Sequence, residues 1–350
     1  MRAILLLLTL ALASSQAYAQ CVINSFDTVS KCLASTSITI QGPFTVPKNE
    51  VIDMSGLKSG TKVTVKGTIT WAAGTLDKTN YLFTIGGSGI TFDGTGATFD
   101  GNGASYWDGK GGNGGVPKPK MFRSTLTGNS LVKGIKILNA PVHVFSIGGS
   151  DTTFDHITVD DTAGKSKGHN TDAFDVSANN IIIQNCIVTN QDDCLAINSG
   201  SNIQFLNNQC TGGHGISIGS IASGKTVSDV VVQGCTITSE DNGLRIKTIS
   251  DATGGSVKNV LWKDITLNSI NNYGIVIQQD YQNGGPTGIP GAGIPISNVT
   301  AINVQGTMAS GAKNNIYILC AACSKFTFSK VGITGANPNC TGISPKPQGC

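Results

Sequence analysis

Asp172-Ala173-Phe174-Asp175-Val176, Asp193-Cys194-Leu195-Ala196-Ile197 and His214-Gly215-Ile216-Ser217-Ile218 are versions of one five-residue run. His143-Val144-Phe145-Ser146-Ile147 precedes them, and Asn242-Gly243-Leu244-Arg245-Ile246 and Tyr273-Gly274-Ile275-Val276-Ile277 follow. In each run, apolar residues stand two and four places after the first member. Strand alternation turns both inward and sends the residue between them out to solvent: Asp175, Ala196, Ser217, Arg245, Val276. A second series accompanies the first: Ile135-Lys136-Ile137, Ile157-Thr158-Val159, Cys186-Ile187-Val188, Cys235-Thr236-Ile237 and Ile265-Thr266-Leu267. Each follows a Gly, His, Asn or Asp at a turn. The spacing is about 22 residues, or that plus an insertion of about five to eight. Strands at a fixed period, with almost no helical periodicity, specify an all-β solenoid. A β-sandwich would need tight hairpin turns between paired runs, and these runs repeat without them.

Equivalent positions of a parallel solenoid stack about 4.7–4.9 Å apart. Asp172, Asp193 and His214 are therefore expected to form a column at the edge of one sheet, continued by Asn242 and Tyr273. Asp192 sits beside it. Stacked like charges cost stability, so a structural protein has reason to avoid them. A calcium site or a row of turn-capping aspartates is the bland alternative. Glycoside hydrolysis needs one protonated carboxyl to donate to the leaving oxygen and another, ionised, to activate water. Crowding separates acids in this way, because repulsion raises the pKa of one of them. Arg245 and Lys247 point outward beyond the acids. A guanidinium and an ammonium there suit an acidic substrate.

Outside this region the sequence sets limits. Arg2, the apolar stretch Ile4 to Leu12 and Ala17-Tyr18-Ala19 read as a secretory signal covering residues 1–19. The apolar run is too short to span a bilayer. Residues 20–350 show no linker and are expected to form one domain. Net charge is +3 with 13% charged residues, so no basic surface points to nucleic acid. Ten cysteines in a secreted chain imply disulfides. The near neighbours Cys21/Cys32, Cys194/Cys210, Cys320/Cys323 and Cys340/Cys350 are the expected pairs, leaving Cys186 and Cys235 as buried thiols. Asn298 and Asn339 head glycosylation sequons.

Asn170-Thr171-Asp172, Gln191-Asp192-Asp193, Gly213-His214-Gly215 and Arg245-Ile246-Lys247 occur in the order and spacing of a known family. The chain resembles the fungal-type polygalacturonases, pectin-hydrolysing enzymes of glycoside hydrolase family 28. The resemblance covers essentially all of residues 20–350. It implies a right-handed parallel β-helix that hydrolyses α-1,4-galacturonosyl linkages of de-esterified pectin outside the cell, with inversion. It implies Asp192 as general acid, Asp172 and Asp193 as activators of water, and His214 as the residue that sets the acid's protonation. Arg245, Lys247, Tyr281 and Asn170 would bind substrate. The family match favours Tyr281 over Tyr273 as the sugar contact.

No metal and no cofactor is implied, and the expected partner is the polysaccharide alone, with no nucleic acid, no membrane and a monomeric enzyme. The motifs have no large insertion near them to block one end of a groove, so cleavage within the chain (endo action) is expected. Exo action and hydrolysis of rhamnogalacturonan or xylogalacturonan differ only in subsites. A pectate lyase, or a non-catalytic polysaccharide-binding solenoid, is the more distant alternative. His143 and His156 are expected to be structural, His169 to pack a turn, and Trp71, Trp107 and Trp262 to lie in the core or at its rim. Asn198 and Gln278 are expected to face outward beside the cleft.

Overall fold

The computed structural model describes residues 20–282 and 285–350. The expected signal segment, residues 1–19, lies outside them. The chain winds into a right-handed parallel β-helix, a single domain with three strands in a typical coil. One coil comprises Phe145–Ile147, Ser150–Asp155 and Thr158–Asp160. The next comprises Phe174–Ser177, Asn179–Gln184 and Ile187–Thr189. Among the described residues every strand pairing is parallel except the one joining Tyr281 to Pro286 and Gln282 to Gly285. No helix there is long and apolar enough to cross a membrane.

The two sequence series become two faces of the coil. In the first, Phe122, Phe145, Phe174, Leu195, Ile216, Leu244, Ile275 and Ile316 stack in register inside the helix. Phe83, Phe122, Phe145 and Phe174 form an aromatic ladder with centroids 4.8, 4.8 and 5.3 Å apart. In the second, Ile137, Val159, Val188, Cys210, Ile237 and Leu267 stack likewise. Cys210 marks a coil absent from the expected series. There the inward residue before the strand is Asn208 rather than an apolar one. Its amide is fully used inside the core, accepting from the Cys186 N–H at 2.7 Å and donating to the Ile183 carbonyl at 3.0 Å.

The turns before the second series need a left-handed backbone. Gly134, His156, Asn185, Asn207, Gly234 and Asp264 all have φ between 51° and 71°, a region that glycine and asparagine enter most easily. His156 is a turn residue here, largely exposed. A second corner carries Asp151, Asn180, Asn202, Asp229, Asn259 and Asn298, all left-handed. Their side chains bond from coil to coil, Asn180 to Asp151 at 2.8 Å, Asn202 to Asn180 at 3.0 Å, Asn298 to Asn259 at 2.9 Å.

All four expected disulfides are present, and Cys186 and Cys235 are free and buried. Cys21–Cys32 ties the short helix Val29–Cys32 to Cys21–Ile23, a strand that among the described residues pairs only with Ser37–Gln41. Cys340–Cys350 fixes the last strand, Asn339–Thr341.

Candidate active site

Register breaks gather on the face built from the first series. The pairing slips between Val176 and Ser177, Asp193 and Leu195, Ile218 and Ile221, and Lys247 and Ile249. Such bulges re-aim side chains. The one at Asp193 corrects the expected column. Asp193 pairs with Gly215, and His214 instead lies level with Asp192, whose carbonyl accepts the His214 N–H at 2.9 Å. Asp172, Asp192, Asp193 and His214 thus converge in one groove of about 650 Å³, together with Asn170, Arg245, Lys247 and Tyr281.

The local chain explains why this bend is fixed. The Asn190 amide, 2% exposed, donates to the carbonyls of Thr171, Asp192 and Asp193 at 2.9–3.1 Å. Thr171 and Gln191 interlock, the Gln191 N–H donating to Thr171 Oγ1 at 2.8 Å. Gly213 and Gly215 let the neighbouring backbone approach. A Cβ at Gly213 would stand 2.0 Å from the Asp192 carbonyl oxygen, and Gly215 has φ +97°. Asn190 was missed in the sequence, although it directly precedes the Gln-Asp-Asp motif.

Two of the carboxylates are held by cations. Lys247 Nζ is 2.8 Å from Asp193 Oδ2, and Ser217 donates to Asp193 Oδ1 at 2.7 Å. His214 Nδ1 is 2.9 Å from Asp192 Oδ1, whose other oxygen accepts from the Asn170 amide at 3.0 Å. Burial works to raise the Asp192 pKa. The hydrogen bond and charge of His214, with the charge of Lys247, outweigh it and hold Asp192 well below the usual carboxylate range. Burial likewise opposes a charged His214, but Asp192, Asp193 and Asp241 raise it to about 9. Asp172 goes the other way. Burial and repulsion from Asp192 and Asp175 push it well above the carboxylate range, against the pull of His143.

Asp172 Oδ1 and Arg245 Nε are buried polar atoms with no hydrogen-bond partner in the protein. In a groove, such atoms are poised for a ligand. The Tyr281 ring lies 5.4 Å from both the Arg245 guanidinium and Lys247 Nζ. Tyr273 stays in register with Asn242 but pairs with Tyr317, outside the groove.

Asp192, Asp193 and His214 offer ligand atoms within 4.8 Å of one another. A divalent ion there would compete with the Lys247 ammonium already on Asp193, so the donor set is poorly suited to one. Asn170 lines the groove, but its amide oxygen already accepts from the Gly112 N–H at 3.1 Å.

Of the other expectations, some held and some changed. Ser217 and Val276 face outward yet are completely buried. Ser217 lies beneath Asp193. His143, expected to be structural, lines the groove with Nδ1 2.6 Å from Asp175 Oδ2 and Nε2 3.8 Å from Asp172 Oδ1. His169 and Asn198 also line it, whereas Gln278, in register with Lys247, is buried and does not. Trp71 and Trp262 are core residues, and Trp107 is buried, donating to the Ala140 carbonyl at 3.1 Å.

Comparison with known proteins agrees with this geometry. Residues 35–350 match the family model described as Glycosyl hydrolases family 28. An endo-polygalacturonase of Sclerotinia sclerotiorum is 49% identical over 321 residues, covering 89% of this chain and 83% of that one. A polygalacturonase of Penicillium griseoroseum is 48% identical over 308 residues, covering 85% and 81%. The structure of endopolygalacturonase I from Stereum purpureum, solved with two galacturonates, superposes with a TM-score of 0.83 at 41% identity, covering 93% and 99%. The chain belongs to glycosyl hydrolases family 28.

Proposed function

We propose that this chain is an endo-polygalacturonase, secreted behind a signal segment of residues 1–19 and active as a monomer, hydrolysing α-1,4-galacturonosyl bonds with inversion. One observation carries the reading: three carboxyl groups and His214 converge in a groove whose next residues are Arg245 and Lys247. Asp192 gives its proton to the glycosidic oxygen as the bond to the anomeric carbon breaks. Asp172 and Asp193 hold a water and take its proton as its oxygen attacks that carbon from the opposite face. The proton for the leaving group is stored on the His214–Asp192 pair, which acts as one unit across its 2.9 Å contact. Arg245 grips a substrate carboxylate, and Tyr281 supplies a face for the sugar. Asn170 holds Asp192 in place through its 3.0 Å hydrogen bond. Four disulfides suit an oxidising compartment.

A second assignment rests on Asp172 being the acid that burial and repulsion keep protonated, which would make it the proton donor. One experiment addresses both. De-esterified polygalacturonate, with chelator present, is treated with wild type, Asp192→Asn and Asp172→Asn. Reducing ends, unsaturated products and early product lengths are recorded. Wild type is expected to release saturated oligomers of mixed length, and each variant to lose about 10²–10⁴-fold in rate. Unsaturated products would mean a lyase, and an inert wild type would sink the reading. An oligogalacturonide with an activated aryl leaving group then identifies the acid, because loss of the proton donor is relieved there and loss of the water activator is not. Relief in Asp192→Asn supports the first assignment, and relief in Asp172→Asn the second.

A further inference from the structure

The imidazole of His214 can serve Asp192 only while the turn Gly213-His214-Gly215 is held, and its two glycines make that turn pliant. Its anchors come from one stretch of the next coil, Glu240-Asp241-Asn242. The Asp241 N–H donates to the Gly213 carbonyl at 2.8 Å, and the Asn242 amide donates to the His214 carbonyl at 3.0 Å. The third anchor is a side chain with no place in the chemistry above. Glu240 is 0% exposed, and its Oε2 accepts the Gly215 N–H. The two segments are closely set. A Cβ at Gly215 would stand 2.1 Å from the Asn242 carbonyl oxygen, so neither can shift without the other.

A buried carboxyl costs stability unless its oxygens are bonded. Glu240 meets that requirement only halfway, because Oε1 is buried with no hydrogen-bond partner among the described residues. Burial pushes its pKa up to about 8 against the pull of the Gly213 and Gly215 N–H groups, with Asp193 adding to the rise and His214 opposing it. At acid pH the group is therefore neutral, and it acts there as an acceptor rather than as a charge. The N–H groups that it draws on flank His214 on both sides. Asn190 serves the other half of the pair, since its buried amide fixes the bend that carries Asp192 and Asp193. Acid and imidazole thus each rest on a buried polar side chain that never reaches the groove.

We propose that Glu240 is a positioning residue for the proton donor: by holding Gly215 it sets the His214 ring against Asp192. This rests on the proposed polygalacturonase reading, in which the His214–Asp192 pair protonates the leaving group, and adds the residue that keeps the pair closed.

The test compares the wild-type enzyme with Glu240→Ala, Glu240→Leu, Glu240→Gln and Asp192→Asn at acid pH, well below each melting temperature. It reads kcat and KM on de-esterified polygalacturonate and on an oligogalacturonide with an activated aryl leaving group. Glutamine keeps an oxygen for the Gly215 N–H and matches the protonated carboxyl in size. Leucine fills the space and accepts nothing. On the polymer, Glu240→Ala and Glu240→Leu are expected to lose about 10–100-fold in kcat, with KM changed by less than about twofold. Glu240→Gln should stay within about threefold of wild type. On the aryl substrate, which needs little proton donation, the alanine and leucine deficits should shrink to about threefold, as that of Asp192→Asn shrinks. A residue that only supports the fold would depress both substrates alike. Equal deficits on the two substrates, a Glu240→Leu as active as wild type, a Glu240→Gln as impaired as Glu240→Leu, or loss of folding in both the alanine and leucine variants would overturn the role of Glu240 and leave the polygalacturonase reading intact. An Asp192→Asn enzyme that the aryl substrate does not relieve would remove the donor assignment and this inference with it.

Discussion

His143 stands between two carboxylates, 2.6 Å from Asp175 and 3.8 Å from Asp172. Burial opposes its charge, but Asp172 and Asp175 raise its pKa to about 9, with Lys120 pulling the other way. Below about 9 it is therefore a cation beside Asp172, and it lowers the pH at which that acid ionises. If Asp172 activates water, His143→Gln leaves it protonated to higher pH. The acidic limb of the kcat/KM profile is expected to move upward, and the melting temperature at acid pH to fall, because the stability that the charged His143 contributes there is lost. An unmoved limb would show that the two groups do not titrate together. At this scale the sequence was informative where a residue's role follows from its own chemistry. Asp192, Asp193, His214, Arg245 and Lys247 were all picked out and all meet in the groove. The place of His143 in the groove was not foreseen, because nothing within its own run reveals the carboxylates that Asp172 and Asp175 bring from the next coil.

At the scale of strands and turns, the period was legible and the exceptions were not. Alternating apolar residues located both interior ladders. Asn208 concealed one coil by standing in an apolar position, and the slip after Asp193 displaced His214 by one place. Bulges leave little trace in a pattern of period two, because they change pairing rather than composition. The asparagine corner is easier to recognise afterwards, since each member has a left-handed backbone and several bond to the coil below. Asn202→Ala loses the 3.0 Å bond to Asn180 and places a Cβ-bearing residue without that support at φ 55°. The expected cost is about 1–2 kcal/mol in a urea titration. Asn202→Gly, which tolerates the backbone, should cost less. Equal losses would assign the effect to the side-chain ladder alone.

Over the whole molecule, the site leaves a signature in stability against pH. His143 and His214 are raised from 6.5 to about 9, so the stability they contribute is complete below 6.5 and is lost as pH rises toward 9. Burial raises Glu240 from 4.5 to about 8, and its contribution is likewise lost with rising pH. Asp192, held low by His214, and Asp108, held low by Lys118, contribute above 3.8 and lose that as pH falls. Stability should peak well on the acid side of neutrality, close to the span from 3.8 to 4.5, where Asp192 and Asp108 are ionised and Glu240 and Asp172 still hold their protons. Thermal melts across the range check this, and a maximum near pH 9 would contradict the pairing described. The groove itself was only partly legible. Its centre followed from four motifs, whereas the rest of its lining, His143 included, depends on which residues the winding brings into line. That winding also has an evolutionary consequence. Each coil moves the column forward by one strand spacing, so the groove is graduated like a ruler. A lineage that duplicated or deleted a coil would change the length of the groove only in whole steps of one strand spacing. Groove length in such a scaffold is inherited as an integer number of coils.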